Sequence, residues 1–464
     1  MTMRDGDPAF LGTADLARAY AAGETTPRAV VEALLARIDA LDPGLNAFVA
    51  VDREGALAAA EAATASPSDH PLNGVPVVVK DVMDIAGTMT GLGSAAPVGR
   101  MAQDDATVVA RMRAAGMVIL GKVQTVEFAM GGWGGNERLG TPRNPFDLAT
   151  PRIPGGSSSG CGVALAAGLA PLGVGTDIGG SLRLPASFCG LTSLKVTVGR
   201  ISNHGIVPLI PSLDSAGPMA RSAEDAALLY DVLRGPDPAD AQTWSLPSPD
   251  PTRRREGVRG LRLARIPESE REGVAADMLA AYDEALTVLS GIGAEIVDVE
   301  LPFRFAELFT ADAIVKAESY ASCGAFAEDT ALPLDSVVRR RLLAGRTVDI
   351  SAYLAAKDRV RGWKVAYAQA MAGVDALLTP TTETAAPTLA AVDLTAPASR
   401  FTRFANLLDL AALALPDGFT AGGLPLSLQV VAPGGAEEMA LRVGIAFQTA
   451  TDWHRRHPTG LGPA

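Results

Sequence analysis

Cysteine, histidine and lysine are all scarce in this chain of 464 residues. The three cysteines, Cys161, Cys189 and Cys323, have no C-x-x-C spacing and offer neither a disulfide framework nor a zinc site. The four histidines sit in a Ser/Pro loop (His70), after a Ser-Asn turn (His204) and in an Arg-rich tail (His454 and His457). None reads as a general base, and the tail pair lacks a carboxylate shell, so no metal is expected. Long apolar runs are missing too. Residues 153–176 carry no charge, but Gly, Pro and Ser break them up, so they do not read as a membrane span. The N-terminus, MTMRDGDPAF, has early acids and no apolar core of a secretory signal, and the chain reads as cytoplasmic. With 48 % hydrophobic and 20 % charged residues it can fill a large core and is not a disordered chain. The net charge of −12, with arginines scattered and not clustered, argues against a polyanion partner: no nucleic acid is expected.

What is there begins with the imbalance of the cations. Of 40 basic residues only six are Lys, at positions 80, 122, 195, 316, 357 and 364. Where Arg supplies charge by default, each Lys asks for a reason. Lys, unlike Arg, loses its proton when buried, so a Lys ending an apolar segment is a candidate base. Lys80 does so: Val75-Pro-Val-Val-Val-Lys80 is a β-branched run bounded by Gly74 and Asp81, the pattern of a strand buried on both faces. Lys122 and Lys195, beside Gly121 and Leu194, read as turn or packing residues.

The first 65 residues read as helices, with Thr26 as N-cap and Pro27 at the first helical position. Helix and strand then alternate. Helices are expected at 108–115, 162–169, 223–233 and 275–289, and strands at 117–120, 172–174, 261–266, 295–299, 376–378, 413–415 and 424–431. This is an α/β pattern. The five prolines between Pro236 and Pro251 mark a surface loop near 236–256 within one domain spanning 1–464, and the tail from His454 reads as frayed.

Glycine and serine concentrate between Pro154 and Ser181. A glycine-rich turn packed under a helix is the plain reading. A Walker loop is excluded because no Lys follows the glycines. Gly156-Ser-Ser158-Ser-Gly160 formally matches the G-x-S-x-G elbow, but Pro151 and Pro154 interrupt the strand that an elbow needs, and no His serves as base. A serine hydrolase with Lys as base remains. Thr176-Asp-Ile-Gly-Gly-Ser181 places a serine after two glycines, where successive N–H groups can point at one oxygen, and Lys80 supplies a desolvated amine.

These residues resemble the amidase signature family: Gly155-Gly-Ser157-Ser-Ser-Gly160 through Gly175-Thr-Asp-Ile-Gly-Gly-Ser-Leu-Arg183 to Pro185-Ala-Ser-Phe-Cys-Gly190. Upstream, Gly74-Val-Pro-Val-Val-Val-Lys-Asp81 and Gly121 to Ala129 agree with it, as do Ser212 to Pro218 and Gly423 to Gln429 downstream. The resemblance implies a single large mixed β-sheet covered by helices on both faces. It also implies a Ser-Ser-Lys triad: Ser181 as nucleophile, Ser157 as bridging serine after a cis peptide bond, and Lys80 as base. Backbone N–H groups of Ile178, Gly179, Gly180 and Ser181 are then the expected oxyanion hole. Ser158 and an Asp177–Arg183 ion pair are expected to support the loop. Met130, Gly131, Gly132 and Trp133 are expected to line the substrate pocket. No cofactor is implied.

The chain departs from the family at Val196 and Val198, in Ser193-Leu-Lys-Val-Thr-Val-Gly-Arg200, and at Cys161, where small Ser or Ala is common. The valines favour a free-standing amidase acting on a small carboxamide or anilide. Such an enzyme has a small-molecule amide as its partner, has no membrane or nucleic acid among its partners, and admits a homodimer. The alternative is the glutaminase-type A subunit of a tRNA-dependent amidotransferase. A non-catalytic binding paralogue is a third reading, disfavoured because the three triad positions are intact.

Overall fold

The computed structural model describes residues 8–66, 68 and 70–461. Its strands, in chain order, are β1 (Phe48–Val51), β2 (Pro76–Lys80), β3 (Met89–Thr90), β4 (Arg100–Met101), β5 (Val118–Val123), β6 (Leu172–Asp177), β7 (Thr192–Lys195), β8 (Ser215–Ala220), β9 (Arg262–Arg265), β10 (Glu295–Asp298), β11 (Ala376–Pro380), β12 (Ala411–Phe419) and β13 (Pro425–Ala432). Eleven form one mixed sheet in the order β1-β5-β2-β6-β8-β7-β12-β13-β11-β9-β10, while β3 and β4 make a separate ribbon. This is the expected α/β architecture.

Every residue of β2 and β6 is buried, as the valine run of β2 requires; β6, Leu-Gly-Val-Gly-Thr-Asp, is buried although it alternates with glycine and ends polar. The two run parallel, with Val79 opposite Val174, so Lys80 and the Thr176–Asp177 end lie at the same edge of the sheet. In parallel α/β sheets ligands bind beyond the carboxyl ends of strands. β8 runs antiparallel beside β6 and sets Ser215 opposite Asp177. Helix Ser159–Ala166 is buried on all sides. Gly160 makes that possible, since a Cβ there would meet Gln124 N at 2.3 Å and Ala47 O at 2.5 Å.

Several elements differ from the sequence expectation. Residues 48–51 interrupt the expected helices and form the edge strand β1, which leaves Val49 and Val51 exposed and so shows little apolar alternation. Helices Asp312–Glu328, Ser336–Leu343 and Ile350–Ala370 have no clear signal in the sequence. The last of them buries only Ala356, Val360 and Tyr367, too thin a stripe for a helix of that length. The described part of the tail is packed and not frayed: the His457 ring stacks on Phe10 at 4.1 Å between centroids, and Arg456 lies over Trp453, while residues 462–464 lie outside the described residues. Among the described residues no helix is long and apolar enough to cross a membrane.

Candidate active site

Lys80 ends β2 fully buried. Its Nζ lies 2.7 Å from Ser157 Oγ and 2.7 Å from Thr176 Oγ1. Burial lowers the ammonium to about 7, against the opposing pull of Cys161 and of the Asp177 and Asp214 carboxylates. The other two buried lysines are held differently. Lys122 pairs with Asp81 at 2.8 Å. Lys195, lowered to about 8 by burial, donates to the carbonyls of Leu410 and Ala405. Among the described residues, Lys80 alone of the three has only hydroxyl partners.

The Gly156–Ser157 peptide bond is cis. Ser157 and Ser158 are buried beneath the turn that follows β6. Ser158 N–H donates to the Ser181 carbonyl at 3.2 Å, and Ser158 Oγ to the Thr176 carbonyl at 3.3 Å. These bonds tie the serine-rich turn to the Ser181 loop. Ser181 Oγ makes no hydrogen bond among the described residues, and its residue opens onto a cavity of about 300 Å³.

Asp177 sits under that loop and accepts from Gly180 N–H (2.7 Å), Leu182 N–H (3.1 Å), Arg183 (2.9 and 3.0 Å) and Asn406 (2.9 Å). Burial alone would raise its pKa; Arg183 and the hydrogen bonds outweigh it and hold the carboxyl well below the usual range. Arg183, also fully buried, divides its remaining donors between Thr402 O, Gln429 and Asn406. Gly180 N–H, expected in the oxyanion hole, is taken up by Asp177, as a buried carboxylate needs the donors within its reach. The N–H groups of Ile178, Gly179 and Ser181 have no hydrogen-bond partner among the described residues.

Met130, Gly131 and Gly132 line the main cavity together with Ala129, Ile178 and Leu184. Trp133 lines instead a small side cavity that shares Met130, Gly131 and Gly132 with it. Its ring stacks on Phe188 and its Nε1 donates to Ala396 O, which turn it into the side cluster of Ile153, Phe188 and Ala386. Two contributors escape the sequence reading. Thr176 stands inside the glycine-serine run, but nothing in the sequence tells that its hydroxyl meets Lys80. Asp214, buried and raised to about 6 by burial, accepts from the N–H groups of Leu209 and Ile210 and so shapes the loop lining the cavity. Among the described residues no group of three or more His, Cys, Asp and Glu side chains could hold a metal ion.

The family described as Amidase matches residues 29–441. The A subunit of the glutamyl-tRNA(Gln) amidotransferase of Roseiflexus castenholzii (strain DSM 13941 / HLO8) is 39 % identical, covering 94 % of this chain and 95 % of its own. Among solved structures, the peptide amidase of Stenotrophomonas maltophilia superimposes with a TM-score of 0.83 at 31 % identity, covering 98 % of both chains. The A subunit of the Thermotoga maritima glutamyl-tRNA(Gln) amidotransferase does so with a TM-score of 0.81 at 28 % identity, covering 97 % of both. These amidotransferase relatives overturn one expectation, that of a chain with a small amide as its partner, no nucleic acid, and at most a copy of itself beside it. Net charge and scattered arginines speak only to a polyanion bound directly by the chain's own surface. They do not speak to an assembly in which another polypeptide binds it.

Proposed function

This chain belongs to the amidase signature family and is an amidohydrolase of that family, and on that basis we propose a Ser181 acyl-enzyme mechanism, working in the manner of a glutaminase-type A subunit. The observation that carries the mechanism is the setting of Lys80: a fully buried amine whose partners are two hydroxyls and no carboxylate. Such an amine gives up its proton near pH 7 and, once neutral, donates to Thr176 Oγ1 and can accept a proton from Ser157. Ser157 in turn takes the proton of Ser181, whose Oγ attacks the amide carbonyl. The free N–H groups of Ile178, Gly179 and Ser181 face the resulting oxyanion; losing one such donor typically costs ~100–1,000-fold in rate. The leaving nitrogen is protonated back through Ser157, and water cleaves the ester by the same relay. Asp177 and Arg183 act by positioning the loop, and Thr176 by orienting the amine.

The relatives named as amidotransferase A subunits support the amidotransferase reading of the substrate. One observation favours a second reading, a free-standing amidase for a small apolar amide: the cavity wall is rich in Met130, Ile178, Leu184, Leu213 and Val315. The test is to offer the purified chain glutamine and hexanamide, with and without the other subunits of a glutamyl-tRNA(Gln) amidotransferase. Glutamine hydrolysis that rises with those subunits is expected. Fast hexanamide hydrolysis indifferent to them would select the second reading. Absence of both activities, together with failure of Ser181 to take up a fluorophosphonate, would sink the mechanism.

A further inference from the structure

Beside the main cavity lies a second one, of about 260 Å³. Ala129 and Ile178 line both, so the two meet at the loop that leads to Ser181. Ser181 opens onto the first, whereas Thr176, the partner of Lys80 Nζ, lines the second. Their charges differ in sign. The main cavity is lined by Lys316, Arg341 and Arg403 against Asp312 alone. The second has Asp214 and Asp240 in its wall and no Lys or Arg, with His204 at its exposed side. Asn203, in the same wall, donates from Nδ2 to the Asp214 carbonyl at 2.9 Å, and its Oδ1 is buried without a partner among the described residues. That is an acceptor waiting for an N–H group.

Amide hydrolysis divides a neutral substrate into a carboxylate and an amine that is cationic in water. Carboxylate on a cationic side and ammonium on an anionic side is the electrostatically favoured division. The proton that releases the nitrogen comes through Ser157 and Lys80, and Lys80 touches the wall of the second cavity. Resting on the acyl-enzyme reading of Ser181, we propose that the second cavity is the leaving-group subsite, receiving the departing amine together with the N-substituent of a secondary amide. Ammonia is about the size of water, whose share of the liquid is roughly 30 Å³. The cavity has room for a polar substituent of several heavy atoms. In the forward step the C–N bond breaks, its electron pair stays on nitrogen, and nitrogen takes the Ser157 proton while Ser157 takes one from the Lys80 ammonium. In reverse, an amine seated there attacks the Ser181 ester; the new C–N bond forms, the C–O bond to Ser181 breaks, and the proton returns by the relay.

The test uses one acyl group, glutamyl or hexanoyl, whichever the parent cleaves as its primary amide, and compares that amide with its N-(2-aminoethyl) derivative. Val207→Trp fills the second cavity and Asp240→Lys reverses charge in its wall. We expect each variant to lower kcat/KM for the N-substituted amide at least tenfold while the primary amide stays within threefold. Ethylenediamine should intercept the parent's acyl-enzyme and do so less in Val207→Trp. A parent that cleaves the primary but not the N-substituted amide overturns the subsite, as does an equal loss on both substrates in both variants with fluorophosphonate labelling of Ser181 retained. If the parent neither labels nor cleaves either amide, the acyl-enzyme reading has failed, and the subsite with it.

Discussion

Three lysines are buried here, and their partners separate a base from two fasteners. Lys122 faces a carboxylate and Lys195 backbone carbonyls, so both keep good use for a proton; Lys80 faces hydroxyls that serve a neutral amine as well. With its ammonium lowered to about 7, Lys80 is charged and idle below that pH and neutral above it. The rate of fluorophosphonate labelling at Ser181 is therefore expected to rise from pH 6 through 7 and level off by about pH 8.5. A flat profile would contradict the assignment. The same depression has a cost in stability. Between about 7 and the ordinary lysine value of roughly 10.4 the unfolded chain binds the proton that the folded one has released, so stability climbs with pH across that window. At neutral pH the amine is a burden on the fold. Lys80→Met is expected to slow labelling by orders of magnitude while keeping a Tm no lower than the parent's in calorimetry. The motif in the sequence points to Lys80 and Ser181, but it cannot tell that Gly180 spends its N–H on Asp177. That depends on where a carboxylate already fixed by Arg183 comes to rest.

At the scale of elements, the site is a junction of two parallel strands and the turn after the second. Strand β2 is legible because both faces are buried and its Val77–Val79 run is apolar up to Lys80, and β6 because Leu172 and Val174 open it among small residues. Edge strand β1 is not, since exposure removes the pattern that announces a strand. The turn after β6 is held by the Asp177–Arg183 pair, completely buried and tied to Thr402, Asn406 and Gln429 from much later in the chain. Removing one partner of a buried pair leaves the other uncompensated, at roughly 3–5 kcal/mol. Arg183→Met should lose stability of that order in urea denaturation and should also lose Ser181 labelling under conditions where the variant is still folded. Unchanged stability would show the pair to be dispensable. The motif sets these two residues beside the nucleophile and suggests their pairing. Their anchors, 219 to 246 residues downstream, come from the short helix Arg403–Leu407 and its N-cap Thr402, and from Gln429 in β13, which only the folded chain brings to this loop.

For the whole molecule, the telling property is the division of charge between two cavities in a chain that is acidic overall. Net charge hides it, because the three cations and one carboxylate of one wall and the two carboxylates of the other cancel. If the cavities hold different halves of the substrate, the two products should occupy the enzyme together. Inhibition by the carboxylate and by the amine is then expected to be non-exclusive when both are varied against one substrate. Strict mutual exclusion would mean that they share one space. The layered α/β class, the family resemblance and the three residues proposed for chemistry could be read from the order of residues, because strand burial and the glycine-serine run are local and survive without coordinates. Folding settled the rest: which N–H groups are free, that Thr176 meets Lys80, that Trp133 turns away, and that two cavities of opposite charge meet near Ser181. Those follow from contacts between segments far apart in the chain, and their distances are set by packing that no local pattern encodes.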